Sequence, residues 1–222
     1  MQTILPCKPI LDILKPCYNK CSGFKKACKK MRWDPSKGYL PQGVCGAVGK
    51  VSEVKLVLIV AEPGNPYINQ SYYSKTPRDL MKNVLSDNYY SFKNGEDIFH
   101  RNIRCILDLC WPEITFEEKL RKTLITESVL CSAETECANI SASIERFCCE
   151  NYLLKELDLF PKAVIATLGT KATNRLIRYR PSSSFMSAYS VSPPGCNKKK
   201  IALESWKKIA NEVCNKQGQT HN

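Results

Sequence analysis

Two kinds of residue in this chain can do chemistry by type and position: a glutamate at the end of an apolar run, and a large set of cysteines. Residues 56–66 read LVLIVAEPGNP, where five apolar residues and a small one are followed by Glu62 and then by two prolines and a glycine that force a turn. A carboxylate leaving a buried strand there can orient and deprotonate water or stabilise a cationic centre. The competing roles are a cap on the next helix or a partner for a surface lysine. The chain has 13 cysteines, several of them in CYNKCSGFKKACKKMRW, a count that in a reducing compartment fits metal ligands plus buried thiols better than disulfides.

The pattern around these residues says how they are positioned. VKLVLIV at 54–60 is short, β-branched and almost wholly apolar, as a strand covered on both faces should be. KTLITESVLC at 122–131 and KAVIATLG at 162–169 read as two further strands. TPRDLMKNVLSD, with Leu80, Met81, Val84 and Leu85 at helical spacing, predicts a helix. NISASIERFCCENYLLKELDLF predicts another, with Ile144, Phe147, Cys148 and Leu154 on one face, and TKATNRLIR opens a third. Residues 88–118 are mixed in pattern and carry no assignment.

Strands alternating with helices imply an α/β fold: three layers, α/β/α, around a mostly parallel four-stranded sheet, with a Cys-rich N-terminal extension. The expected organisation is a single domain, with a cap or metal-held lobe at 1–50, a core at 51–215 and a tail at 216–222. Open sheets of this kind bind ligands beyond the carboxyl ends of their strands, which here carry Glu62, Cys131, and Gly169 with Thr170.

Lys and Arg number 33 against 21 Asp and Glu, a formal charge of +12 that points first to a polyanionic partner such as nucleic acid. No apolar run approaches the ~20 residues that span a bilayer, and MQTILPCKPI lacks the layout of a signal peptide. A cytoplasmic monomer without membrane contact is therefore expected.

Three segments, in this order, resemble the uracil-DNA glycosylase superfamily, nearest to its iron–sulfur-containing branch. LVLIVAEPGNP resembles the first motif, an apolar strand ending in Gly-x-x-Pro-Gly. TLITESVLC resembles the strand ending in Thr-Asn with a cysteine a few residues on. ERFCCENYLLKELDLFPKAVIATLGTKAT resembles the helix that starts at a cysteine and runs on to Pro-Lys-x-x-x-x-Leu-Gly-x-x-Ala. The likeness covers about residues 54–210.

The resemblance implies a DNA glycosylase that flips a base out of the stack and hydrolyses its N-glycosidic bond. Positive charge develops on the sugar and negative charge on the departing base, so a carboxylate is wanted near the first and donors around the second. Glu62 and Glu127 are the catalytic candidates. Glu62 stands where other branches carry Asp or Asn, and the iron–sulfur branch has its Glu one residue earlier, at Ala61. Glu127 replaces the base-reading Asn. Ionised, it can accept from the exocyclic amine of cytosine or adenine; only protonated can it donate. It is otherwise a strand-end salt bridge. The base it implies is a modified cytosine, such as the glucosylated hydroxymethylcytosine of phage DNA, which would make this an antiviral defence enzyme. Uracil repair and a catalytically silent DNA-binding module are the alternatives.

The rest of the implied pocket comprises Pro63, Gly64, Asn65 and an aromatic platform at Tyr67, Tyr72 or Tyr73. Ser192 stands where the family has its late His. Gly169, Thr170, Lys171, Pro193, Pro194, Gly195, Asn197, Lys198, Lys199 and Lys200 are the candidate DNA contacts, with a solvated lysine-rich turn as the plain alternative for the later ones. For a structural [4Fe-4S] cluster, or zinc, the resemblance implies Cys17, Cys21, Cys131 and Cys149. Cys28 and Cys148 are rival ligands, and buried free thiols are the remaining reading.

Overall fold

Apolar runs at 56–60, 123–127 and 164–168 form the centre of a sheet because helices cover both their faces. The computed structural model describes residues 4–23, 31–135 and 138–218. Its strands are β1 (Cys45–Gly46), β2 (Leu56–Val60), β3 (Thr123–Glu127), β4 (Val164–Leu168) and β5 (Met186–Ala188), in the order β1-β3-β2-β4-β5. β2 is parallel to both β3 and β4, β5 is parallel to β4, and only β1 runs antiparallel. The sheet thus has five strands and not four; the difference lies in the short edge strands β1 and β5. The parallel register sets Val60 opposite Glu127, so the chains leaving β2 and β3 emerge side by side.

Each face of the sheet has its own core. Val57, Ile59 and Leu124 pack with Ile10, Leu14, Val84 and Leu176 on one side. Leu56, Leu58 and Ile125 pack with Ile103, Ile106, Trp206 and Ile209 on the other. This is the three-layer α/β/α arrangement. The helix Pro77–Asn94 starts as predicted, with Pro77 in its first turn, the Thr76 hydroxyl accepting from Asp79 N at 3.1 Å, and Gly95 in the left-handed region ending it.

Residues 88–118, unassigned from sequence, complete that helix and add Ile98–Cys110, capped by Asp97, and Phe116–Lys122, which opens on a Thr115–Glu118 capping box. The helix expected from residue 139 onward is composite: α over Ala142–Cys148, a π turn at Cys149–Leu153, then α again over Leu154–Asp158.

The N-terminal segment is not a separate lobe. Ile10, Leu14, Cys17, Tyr18 and Leu40 belong to the same core as Val57, and Tyr18 Oη donates to Pro41 O at 2.8 Å. Apolar side chains of this kind are worth more inside the shared core than around a lobe of their own. At the other end, helix Lys199–Gly218 runs past the expected boundary at 215; residues 219–222 of the expected tail lie outside the described residues. Among the described residues no helix is long and apolar enough to cross a membrane.

Candidate active site

Pairing between the chains leaving β2 and β3 continues past the strand ends, and that continuation fixes Glu62. Ser128 N donates to Val60 O at 2.9 Å, and Val129 N to Ala61 O at 3.0 Å. The Ser128 hydroxyl also donates to Ala61 O, at 2.8 Å, while Ser132 Oγ holds Gly64 O at 2.8 Å. With Pro63 buried and Gly64 and Asn65 exposed, the chain turns outward immediately after Glu62.

The Glu62 side chain, 7% exposed, points toward helix Thr170–Tyr179 and meets two cations one helical turn apart. Lys171 Nζ donates to Oε1 at 2.6 Å and Arg175 Nη1 to Oε2 at 2.6 Å. Glu62 is therefore the lysine-paired carboxylate that one of its alternative roles described, with an arginine added. Both of its oxygens are engaged, so activating water requires Lys171, the more exposed partner, to move aside.

Arg175 is the hub of the site. Besides Glu62 it donates to Ala61 O, Ser128 Oγ and Glu145 Oε1, each at 3.0 Å, and its side chain is 3% exposed. Glu145 is also paired with Arg178 at 2.7 Å. Among the described residues, Lys171, Arg175 and Arg178 are the cations paired with Glu62 and Glu145. The sequence reading missed Arg175 and Glu145. Their signal was the i, i+4 spacing of Lys171 and Arg175 on one face of a predicted helix that follows a strand end.

Glu127 is buried beside this network but outside it. Its Oε2 has no hydrogen-bond partner among the described residues, and a side chain at Gly43 (φ 79°) would run into its carboxyl. Burial, reinforced by the neighbouring Glu62 and opposed by Arg175, pushes its pKa well above the usual carboxylate range. Glu127 is thus not a strand-end salt bridge, and its burial favours the protonated form, in which a carboxyl combines a donor with an acceptor. A second buried acid, Glu156, lies under β3, where Thr126 Oγ1 donates to its Oε2 at 2.7 Å. Burial raises its pKa to about 8. Its place on the apolar face of LLKELDLF was legible in the sequence and was not read.

The three candidate tyrosines separate. Tyr72 is buried, accepts from Gln70 Nε2 at 2.7 Å, and neighbours Tyr18, whose other neighbours include Glu127 and Cys131. Tyr67 and Tyr73 are exposed, and Tyr67 Oη is tied to Asp97 at 2.8 Å. Gly169, at φ 100°, closes against Ser190 and starts the helix that carries Thr170 and Lys171. Gly195 packs on Ser190 as well, which draws the 190–198 loop to the end of β4, and Asn102 Nδ2 pins Val191 O at 2.8 Å. Ser192 is half-buried with its N–H on Ser190 Oγ, while Pro193, Pro194, Asn197, Lys198, Lys199 and Lys200 stand exposed. A cavity of about 500 Å³ lined by Asn94, Arg101, Arg104 and Asp108 shares none of these residues.

The cysteines expected as metal ligands fall into different surroundings. Cys17 is buried, with Cys21, Cys148 and Glu156 as its ionisable neighbours and Tyr152 bonded to it. Cys149 instead turns its thiol to Ser128 O at 3.6 Å and sees Arg175 and Glu145. Successive residues point about 100° apart on a helix, so Cys148 and Cys149 cannot both face Cys17, and Cys148 is the one that does. Among the described residues no three His, Cys, Asp or Glu side chains form a ready metal site; Cys28, the other rival ligand, lies outside them. Compared with protein-family models and with curated proteins, the chain matches none.

Proposed function

We propose that this protein is a DNA glycosylase that hydrolyses the N-glycosidic bond of a flipped-out base, acting as a cytoplasmic monomer. The observation that carries the reading is the convergence of Glu62 and Glu127 at the carboxyl ends of two adjacent parallel strands, one ion-paired and the other buried without a partner for its Oε2 among the described residues. A neutral carboxylic acid offers O–H and C=O to one edge of a base, as an amide does. It can donate to cytosine N3 while accepting from the exocyclic amine, so a cytosine-type base is the proposed target. The same pair, turned over, matches uracil, which keeps uracil repair as the second reading.

In the proposed reaction the base displaces the backbone at Gly43, which lies against the Glu127 carboxyl, and stacks near Tyr72. Lys171 turns from Glu62 to a phosphate, and the freed carboxylate oxygen orients water toward the sugar carbon or stabilises its cationic character. Arg175 stays in place, holding Glu62 and balancing the developing negative charge. The exposed lysines at 198–200 grip the backbone. A structural cluster, [4Fe-4S] or zinc, would draw on Cys17, Cys21, Cys131 and Cys148 and would take no part in these steps.

The test is a panel of duplexes, each with one uracil, hypoxanthine, 5-hydroxymethylcytosine or glucosylated 5-hydroxymethylcytosine, scored for alkali-labile abasic sites. Release of a cytosine-type base, lost in Glu62→Gln, is the expected result. Efficient release of uracil alone would move the assignment to the second reading. Tight binding with no release from any duplex would leave a DNA-binding module in place of an enzyme.

A further inference from the structure

Gly95, Glu96 and Asp97 join helices Pro77–Asn94 and Ile98–Cys110, and the cavity of about 500 Å³ opens beside this turn. Gly95 sits in the left-handed region at φ 62°, and a Cβ there would lie 3.1 Å from Arg101 Cγ and 3.7 Å from Arg104 Cδ. Both arginine stems therefore pack across the bare turn. Arg101 Nη1 donates to Gly95 O at 3.2 Å and to Glu96 O at 3.4 Å, and Arg104 Nη1 donates to Lys93 O. The Arg104 guanidinium also lies over the Phe116 ring, 5.6 Å from its centroid. One nitrogen of each guanidinium is thus spent on carbonyls at the end of the first helix. Among the described residues, Nε and Nη2 of both make no hydrogen bond.

Arg121, Arg175, Arg178 and Arg180 each meet a carboxylate within 3.1 Å, whereas Arg101 and Arg104 meet none among the described residues. The acids nearby are engaged elsewhere. Asp108 Oδ1 accepts from Lys119 Nζ at 2.6 Å, Glu117 pairs with Lys93 at 2.7 Å, and Glu96 Oε2 accepts from Ser91 Oγ at 2.9 Å. Two planar guanidiniums one helical turn apart, each with donors left over, match the oxygens of a phosphate. Half-buried Cys105 and Leu109 continue the cavity wall along the same helix to Asp108, about 10 Å along the axis from Arg101. We infer that this cavity binds a phosphate ester of mononucleotide size, its phosphate held by Arg101 and Arg104 and its body lying along Cys105 and Leu109. The volume is that of a small-molecule site. Helix Ile98–Cys110 packs on the opposite face of the sheet from helix Thr170–Tyr179, so this site goes beyond the glycosylase reading and does not depend on it. A free nucleotide and a DNA strand offer the same group, and the test separates them.

Cys105 lines the cavity and reports on it. Its alkylation by N-ethylmaleimide at mildly alkaline pH is followed by peptide mass spectrometry beside that of Cys214, an exposed thiol outside the cavity. Deoxycytidine monophosphate at about ten times its Kd should slow the Cys105 reaction by about tenfold. Deoxycytidine, which lacks the phosphate, should leave it unchanged, and Cys214 should react at one rate throughout. Arg101→Gln, at an exposed position, should raise the concentration needed for protection by about tenfold, and adding Arg104→Gln should remove protection altogether. Protection by a short duplex in place of the monophosphate, lost in the same variants, would assign the site to a phosphate of a DNA strand. Equal protection by deoxycytidine, undiminished protection in Arg101→Gln, or protection by neither phosphate source would overturn the inference. Base release from the duplex panel would still decide the glycosylase reading separately.

Discussion

Arg175→Met tests how the strand ends are built. In the native chain the guanidinium contacts Glu62 at 2.6 Å and Glu145, Ala61 O and Ser128 Oγ at 3.0 Å each. Methionine fills similar volume but leaves two carboxylates, 7% and 13% exposed, without their shared cation. Breaking a buried pair by removing one partner costs about 3–5 kcal/mol, against about 0–1 kcal/mol for an exposed pair. Lys171 still reaches Glu62 and Arg178 still reaches Glu145, so the lower end applies, about 3 kcal/mol. In a chain of this length that lowers Tm by about 6–12 °C. Arg175→Lys returns the charge without the planar fork and should recover about half of the loss. Urea unfolding at pH 7, checked by calorimetry, reads both variants. A loss below about 1 kcal/mol for Arg175→Met would refute the reasoning, because the network would then behave as an exposed one.

Glu156 holds its proton more tightly in the folded chain, where its pKa is about 8, than at the 4.5 of an unperturbed glutamate. Its contribution to stability is therefore complete below pH 4.5 and falls as pH rises toward 8, by up to about 1.4 kcal/mol per pH unit. Glu156→Gln should flatten the urea-midpoint profile across that window; an unchanged slope would contradict the burial argument. Replacing Lys198, Lys199 and Lys200 together by Gln should weaken DNA binding uniformly across sequences and reduce the salt slope by about 1 for each phosphate that is no longer neutralised. An unchanged slope in fluorescence titrations would return these lysines to the solvated-turn alternative. For the thiols, metal analysis of anaerobically purified protein should find the bound iron or zinc lost in Cys148→Ser and retained in Cys149→Ser. The reverse pattern would restore Cys149 as a ligand.

The three central strands and the helices flanking them were legible because continuous apolar runs and 3.6-residue spacing each have one structural meaning. The edge strands β1 and β5 were not, since two or three residues carry no period. Glu62 was located correctly at the mouth of the sheet, but its partners were not, because Arg175 is remote in sequence and only the turn of helix Thr170–Tyr179 brings it back to Ala61 and Glu62. Glu127 was placed at the strand end without its protonation state. That state depends on Gly43, whose loop covers the carboxyl, and on Arg175 spending its hydrogen bonds on Glu62 and Glu145 instead. Which of Cys148 and Cys149 faces Cys17 was left open, since a motif match fixes spacing along the chain and not which face of a helix a side chain takes.

The central claim is that Glu127 reads the base as a neutral acid, and its most direct test is base release by Glu127→Gln beside Glu127→Ala. Glutamine keeps a donor and an acceptor in nearly the same shape, so it should retain release from the preferred duplex to within about tenfold, while alanine should lose about 100-fold or more. Glutamine as inactive as alanine, in a variant that unfolds at the wild-type urea midpoint, would contradict the account.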